Sequence, residues 1–118
     1  MSKCPSYPQD GQEGVIPVMC VVQAGQVPKS VETSLKARIG ALTQRVFDAE
    51  AAIVWVVVPE GSGFTAALPS RTVITSMHAN RVLESEERAS LLKTLGAICM
   101  EEIGCNAEEV VTSVRDPE

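Results

Sequence analysis

Two stretches of the chain are apolar at almost every position: Val15-Ile16-Pro17-Val18-Met19-Cys20-Val21-Val22 and Ala52-Ile53-Val54-Trp55-Val56-Val57-Val58. Uninterrupted runs of this length, rich in β-branched residues, predict strands covered on both faces. The first strand is expected over about Val15 to Gln23, with Pro17 opening its core run, because a proline at the first residue of a strand needs no ladder N–H. Pro59 ends the second, and Trp55 reads as a core or interface aromatic. A different pattern separates the two runs. Val31, Leu35, Ile39, Leu42 and Val46 recur at helical spacing and predict a helix from about Val31 to Phe47, capped by Ser30, with Glu32 in its first turn and Lys36, Arg38 and Arg45 off the stripe.

The second half repeats this order. A turn at Glu60-Gly61-Ser62-Gly63 leads to Phe64–Leu68, readable as a short strand or an apolar loop that Pro69 ends. A strand is expected over about Arg71 to His78 and a loop from Asn80 to Glu84. A second helix follows, capped by Ser85, with Glu86 and Glu87 in its first turn and Arg88 on its exposed side. Its stripe is Leu91, Leu92, Leu95, Ile98, Cys99 and Ile103, and Gly104 supplies a left-handed stop. Asn106 caps a short turn before a last strand, Val110 to Val114.

The interval from Pro17 to Ser30 nearly equals that from Thr72 to Ser85. An internal β-α-β duplication explains the match, and a crossover helix implies a parallel strand pair within each half. The expected fold class is therefore α/β: a four-stranded, largely parallel sheet with two helices on one face. The other sheet face is left bare by this arrangement, so the chain is expected to form a homo-oligomer that covers it.

Composition narrows the function. The 118 residues suit one domain, residues 15–118, after a polar Pro- and Gly-containing leader, residues 1–14. A net charge of −5 argues against nucleic acid and anionic membrane as partners. No apolar run reaches the roughly 18 residues of a membrane span, and the leader lacks the basic and apolar segments of a secretory signal; the expected location is cytoplasmic. Cys4, Cys20, Cys99 and Cys105 show no Cys-x-x-Cys spacing and there is one histidine, so no metal site and no disulfide framework are expected. Cys20 and Cys99 read as small buried hydrophobes, and Cys4 as an exposed thiol.

On Pro17-Val18-Met19-Cys20-Val21, a Pro28-Lys29-Ser30 helix start, two β-α-β units of matching length, and His78-Ala79-Asn80-Arg81 leading into Ser85-Glu86-Glu87-Arg88, the chain resembles the tautomerase superfamily. That group includes macrophage migration inhibitory factor, malonate semialdehyde decarboxylase and cis-3-chloroacrylic acid dehalogenase. The resemblance covers Pro17 to about Pro117. It implies a subunit commonly assembled as a trimer, no cofactor, and action on small oxo-acids or their halogenated or unsaturated relatives. It also implies a catalytic amino-terminal proline. A free prolyl nitrogen is a secondary amine whose pKa a poorly solvated pocket can lower. Pro17 follows Ile16, and a peptide-bonded nitrogen delocalises its lone pair into the carbonyl. The site is blocked unless the leader is removed.

The resemblance matches Arg81 to an arginine that binds the substrate carboxylate, a task suited to a guanidinium fork. A neighbouring arginine of the dehalogenase falls on Ala79, its first-helix histidine falls near Gln44, and its C-terminal tyrosine and glutamate have no counterpart. Arg71, expected at the start of its strand, is a candidate substitute cation, and His78, at a strand end, is a further candidate binding residue. Each also has a plainer role: Arg81 as a solvated loop residue, Arg71 as a strand-end ion-pair partner, His78 as a structural histidine. No Ser-His-Asp, Cys-His or paired-carboxylate arrangement is visible, and Gly61 and Gly63 do not form a phosphate loop. Two functions remain: a tautomerase-like protein acting on or binding a small carboxylate, with Pro17 active only after processing, or a non-catalytic homo-oligomer that binds a small anion or a protein.

Overall fold

The computed structural model describes residues 15–117; the expectations for the leader and for Cys4 lie outside the described residues. The elements follow in the order β1 (Val15–Gln23), α1 (Lys29–Phe47), β2 (Glu50–Val58), β3 (Phe64–Thr65), β4 (Leu68–Pro69), β5 (Val73–His78), α2 (Ser85–Ile103) and β6 (Val110–Arg115). A single 3₁₀ turn, Ala107–Glu109, with Asn106 as its cap, precedes β6.

The main sheet has the strand order β2-β1-β5-β6. Pairs β1–β2 and β5–β6 are parallel, as the crossover helices require, and the two β-α-β halves meet antiparallel along β1 and β5. Both helices cover one face. Ile16, Val18, Cys20 and Val22 of β1 and Val73, Thr75 and Met77 of β5 are buried beneath Leu35, Ile39 and Leu42 of α1 and Leu91, Leu95, Ile98 and Cys99 of α2. Ile53 and Trp55 of β2 pack against the same core, in line with the aromatic's expected role. The opposite face carries Met19, Val21, Val54, Val56, Ile74 and Val111; Ile74 and Val111 are 39% and 53% exposed in the single chain.

The sequence-based expectations differ from the structure at the element starts. The β1–β2 ladder begins with Val15 opposite Glu50 and Ile16 opposite Ala51, so Pro17 is the third residue of the strand rather than its opener. Helix α1 begins at Lys29, with Pro28 in the cap position and Ser30 inside the helix. Pro28 needs no N–H, and its carbonyl accepts the first helical bond from Glu32 N at 2.9 Å. Helix α2 is capped by Glu84 instead of Ser85: its carboxylate takes the Glu87 N–H while Glu87 returns to the Glu84 N–H, a reciprocal capping box. Gly104 ends α2 at φ 85°, as expected. Arg88 is half-buried, bonding Val114 O at 2.7 Å and Asp116 at 2.6 Å, so it clamps the end of β6 to α2 and does not stand in solvent.

The Phe64–Leu68 stretch is the first part of a two-stranded hairpin, with Phe64 opposite Pro69 and Thr65 opposite Leu68. Its two-residue turn is Ala66-Ala67, both at positive φ (52° and 66°).

Candidate functional site

Pro17 lies at the amino-terminal end of β1. Its neighbours in sequence, Ile16 and Val18, are fully buried under the helices, so the alternation of a strand turns Pro17 to the open face. Pairing of β1 with β5 begins at Val18 opposite Met77, which brings His78 alongside Pro17. Both are half-buried. In the parallel β5–β6 pair His78 is opposite Arg115. The Ser113 hydroxyl bonds that of Ser76 at 3.2 Å, while Thr112 bonds Leu92 O on α2. Ser76, His78, Ser113 and Arg115 therefore share the open face with Pro17. Arg115 was missed in the sequence because the last strand was ended at Val114. Carrying the Val111, Ser113 alternation one step further would have found it.

Arg81 sits at the same end of the sheet, beside the C-terminus of α1. Its two terminal nitrogens meet both carboxylate oxygens of Glu87 at 3.1 and 2.7 Å, and one also bonds Val46 O at 3.2 Å. The guanidinium carbon stands 5.8 Å from the Phe47 ring centre. The Arg81 fork holds the Glu87 carboxyl below the usual carboxylate range, helped by the Glu84 N–H. Glu84 and Glu86 flank the pair, and Glu86 and Glu87 line a groove of about 350 Å³ between α1 and α2. An anion reaching Arg81 must displace Glu87 and approach two further carboxylates. Gln44, in the last turn of α1, bonds Asp48 at 2.9 Å.

Arg71 lies at the other end of the sheet. From Pro17 to Gln23 the strand spans about 20 Å at roughly 3.3 Å per residue, and Gln26, just beyond, bonds Arg71 O at 2.9 Å. Arg71 lines a depression of about 240 Å³ with Gln23, Gln26 and Glu60. Within one chain the structure brings together Pro17 and His78, places Arg81 nearby but engaged, and leaves Arg71 apart. Among the described residues no group of three or more His, Cys, Asp or Glu is arranged to hold a metal ion. No helix among them is long and apolar enough to cross a membrane.

Neither a protein-family model nor a curated protein sequence matches the chain significantly. Solved structures do. The native protein Ps01740 superposes with a TM-score of 0.76 at 21% identity, over 85% of this chain and 92% of that one. Pt0534 inactivated by 2-oxo-3-pentynoate gives 0.73 at 16% identity, over 85% and 84%. A member of the cis-3-chloroacrylic acid dehalogenase family gives 0.69 at 13% identity, over 85% and 73%. The fold is that of the tautomerase superfamily. In this fold Pro17 is the third residue of β1, with Val15 and Ile16 of the same strand ahead of it. Ile16, 0% exposed, belongs to the core.

Proposed function

We propose that the chain is a homo-oligomer on the tautomerase fold that binds a small oxo-acid at the Pro17 end of the sheet, and that the intact chain does not catalyse proline-dependent chemistry. The observation that carries this reading is the continuation of β1 ahead of Pro17. Val15 and Ile16 are paired with β2, and the Pro17 nitrogen is an amide within that strand. Pt0534 is inactivated by a 2-oxo acid, which supports the ligand class. Fused 4-OT structures of the same fold are symmetric and asymmetric trimers, which supports a trimer here, its protomers covering the open apolar face. Arg81 is already engaged by Glu87 and does not anchor the ligand in this reading, and Arg71 can serve a Pro17 site only from a neighbouring copy.

The test is ketonisation of enol-phenylpyruvate together with calorimetric binding of phenylpyruvate, on protein whose intact mass includes residues 1–16. The expected result is the buffer rate with measurable binding. Turnover by that intact chain overturns the silent site; absence of binding overturns the ligand. The second reading, a tautomerase masked by its leader, is favoured by the half-buried placement of Pro17 beside His78. A chain beginning at Pro17 that assembles, gains on the order of 10²–10⁴-fold, and loses the gain on Pro17→Ala would establish it. That cut removes the buried Ile16 side chain, so it is expected to cost about 2–5 kcal/mol of stability, the scale of deleting a large core side chain.

A further inference from the structure

The geometry points to Arg115, and not Arg81, as the cation that holds the carboxylate of a bound small oxo-acid, in a row Pro17–His78–Arg115 across β1, β5 and β6. The inference rests on the oxo-acid reading above and names the residue that would anchor the ligand.

Three observations carry it. The first is register. Pro17 is alongside His78, and His78 is opposite Arg115, so the three occupy one transverse line on the open face. Adjacent strands are about 4.8 Å apart, which puts the Arg115 backbone about 10 Å from that of Pro17. A molecule of a few heavy atoms lying over His78 spans that gap, with its carboxylate toward Arg115 and its oxo carbon toward Pro17. The second is the use already made of the two arginines that follow β5, while Arg45 of α1 lies on the helix side in the groove with Glu86 and Glu87. Arg81 is bidentate to Glu87, and Arg88 is held by Asp116 and Val114 O. The Arg115 guanidinium has no hydrogen-bond or ion-pair partner among the described residues, and its backbone is fixed: Arg115 O accepts the Ala79 N–H at 2.8 Å. Its fork is open to a carboxylate on a strand that already holds its position. The third is local charge. Arg81 stands among Glu84, Glu86 and Glu87, whereas the described open-face neighbours of Arg115 on β6, β5 and β1 are Ser113, Ser76, His78 and Pro17, none of them acidic, and the open-face Glu50 is farther off, on β2.

The experiment is titration of the full-length assembled protein with phenylpyruvate and with its methyl ester, for wild type, Arg115→Ala, Arg115→Lys and Arg81→Ala. The His78 ring resonances are followed in parallel. Arg115→Ala is expected to weaken phenylpyruvate binding at least tenfold, with Arg115→Lys recovering part of it. Arg81→Ala should stay within about twofold, the ester should bind wild type and Arg115→Ala alike, and at a fixed phenylpyruvate concentration the His78 resonances should shift in wild type and Arg81→Ala and much less in Arg115→Ala. Loss on Arg81→Ala with Arg115→Ala unaffected overturns the assignment while leaving the oxo-acid reading standing. Binding of the ester as tightly as the acid by wild type also overturns it, since no cation would then be engaged. If assembled wild type binds no phenylpyruvate, the oxo-acid reading falls and this assignment with it.

Discussion

Ile16 and Pro17 are adjacent residues with opposite surroundings: one wholly inside the core, the other at the edge of the open face. Period-two alternation alone produces that contrast, and it makes the peptide bond between them costly to lose. A comparable conflict between residue and position occurs at Ala66 and Ala67, both in the left-handed region that β-carbons disfavour by about 1–2 kcal/mol. Their hairpin geometry is the one in which Asn-Gly is preferred. Ala66→Asn combined with Ala67→Gly should therefore raise stability by about 1–2 kcal/mol, read from the urea midpoint. Burial acts on the thiols too. Cys20 is pushed up to about 12 by desolvation, only partly offset by the Thr75 hydroxyl, and Cys99 is raised for the same first reason. At pH 8 the thiolate fraction of Cys20 is on the order of 10⁻⁴. Mass spectrometry after native iodoacetamide treatment should find Cys20 and Cys99 unmodified, and modified once urea is added. Their apolar sequence neighbours made this burial legible in advance. The partnership of both sulfurs with Thr75, at 3.9 and 3.5 Å, was not, because it joins three elements.

Among the elements, the β3–β4 hairpin is the least supported by its own sequence and the most supported by others. Gln23 donates to Ser70 O at 2.8 Å and accepts from Gly61 N at 3.0 Å, while Gln26 holds Arg71 O. Gly63 fits because a β-carbon there would collide with the Gln23 and Thr72 side chains and come within 2.7 Å of Ser70 O. From below, Glu109 accepts the Arg71 N–H at 2.8 Å, the Ser70 hydroxyl at 3.1 Å and the Asn106 N–H at 2.9 Å. These contacts, the Asn106 N–H foremost and the Arg71 N–H next, hold the Glu109 carboxyl below its ordinary value of 4.5. A carboxylate with a depressed folded-state pKa contributes its stability above the unfolded-state value and loses it as pH falls through the folded-state value. The stability of wild type should drop between neutral pH and pH 3.5. Glu109→Gln should drop less, in urea unfolding at the two pH values; an equal drop would remove Glu109 from the account. Sequence patterning showed each helix and main strand to within a few residues. It could not choose between strand and loop for Phe64–Leu68, because the glutamines and the glutamate that fix that segment lie far from it in the chain.

For the whole molecule, the consequence of two helices on one side is an apolar sheet face. Val54 and Val56 of β2, Val21 of β1, Ile74 of β5 and Val111 of β6 share it. If the protomers assemble through that face, sedimentation velocity at micromolar concentration should show a trimer. Val54→Glu should then release monomers whose circular dichroism keeps the helical signal, because its side chain points away from the helices. A wild-type monomer at that concentration would leave the open face without its proposed cover. Arg115 shares this face at its Pro17 end, so occupancy of the proposed oxo-acid site and assembly are expected to be measurable against each other in the same runs.

The sequence by itself determined the strand runs, the two helical stripes, the duplication and, through crossover sterics, the parallel pairing within each half. All of these are set by local periodicity and by apolar area that must be buried somewhere. It also shows that in the encoded chain Ile16 precedes Pro17, which makes the Pro17 nitrogen an amide for as long as that bond stands. Only the tertiary structure decided which strands from different halves meet. The antiparallel seam between β1 and β5 puts His78 beside Pro17, and the β5–β6 register sets Arg115 beyond it. Only the fold, too, decided that Arg81 is engaged by Glu87 and Arg88 by Asp116. The side chains themselves were visible in the sequence. Their partners were not, because an ion pair depends on distance in space, and periodicity carries no information about which charges a turn brings within reach.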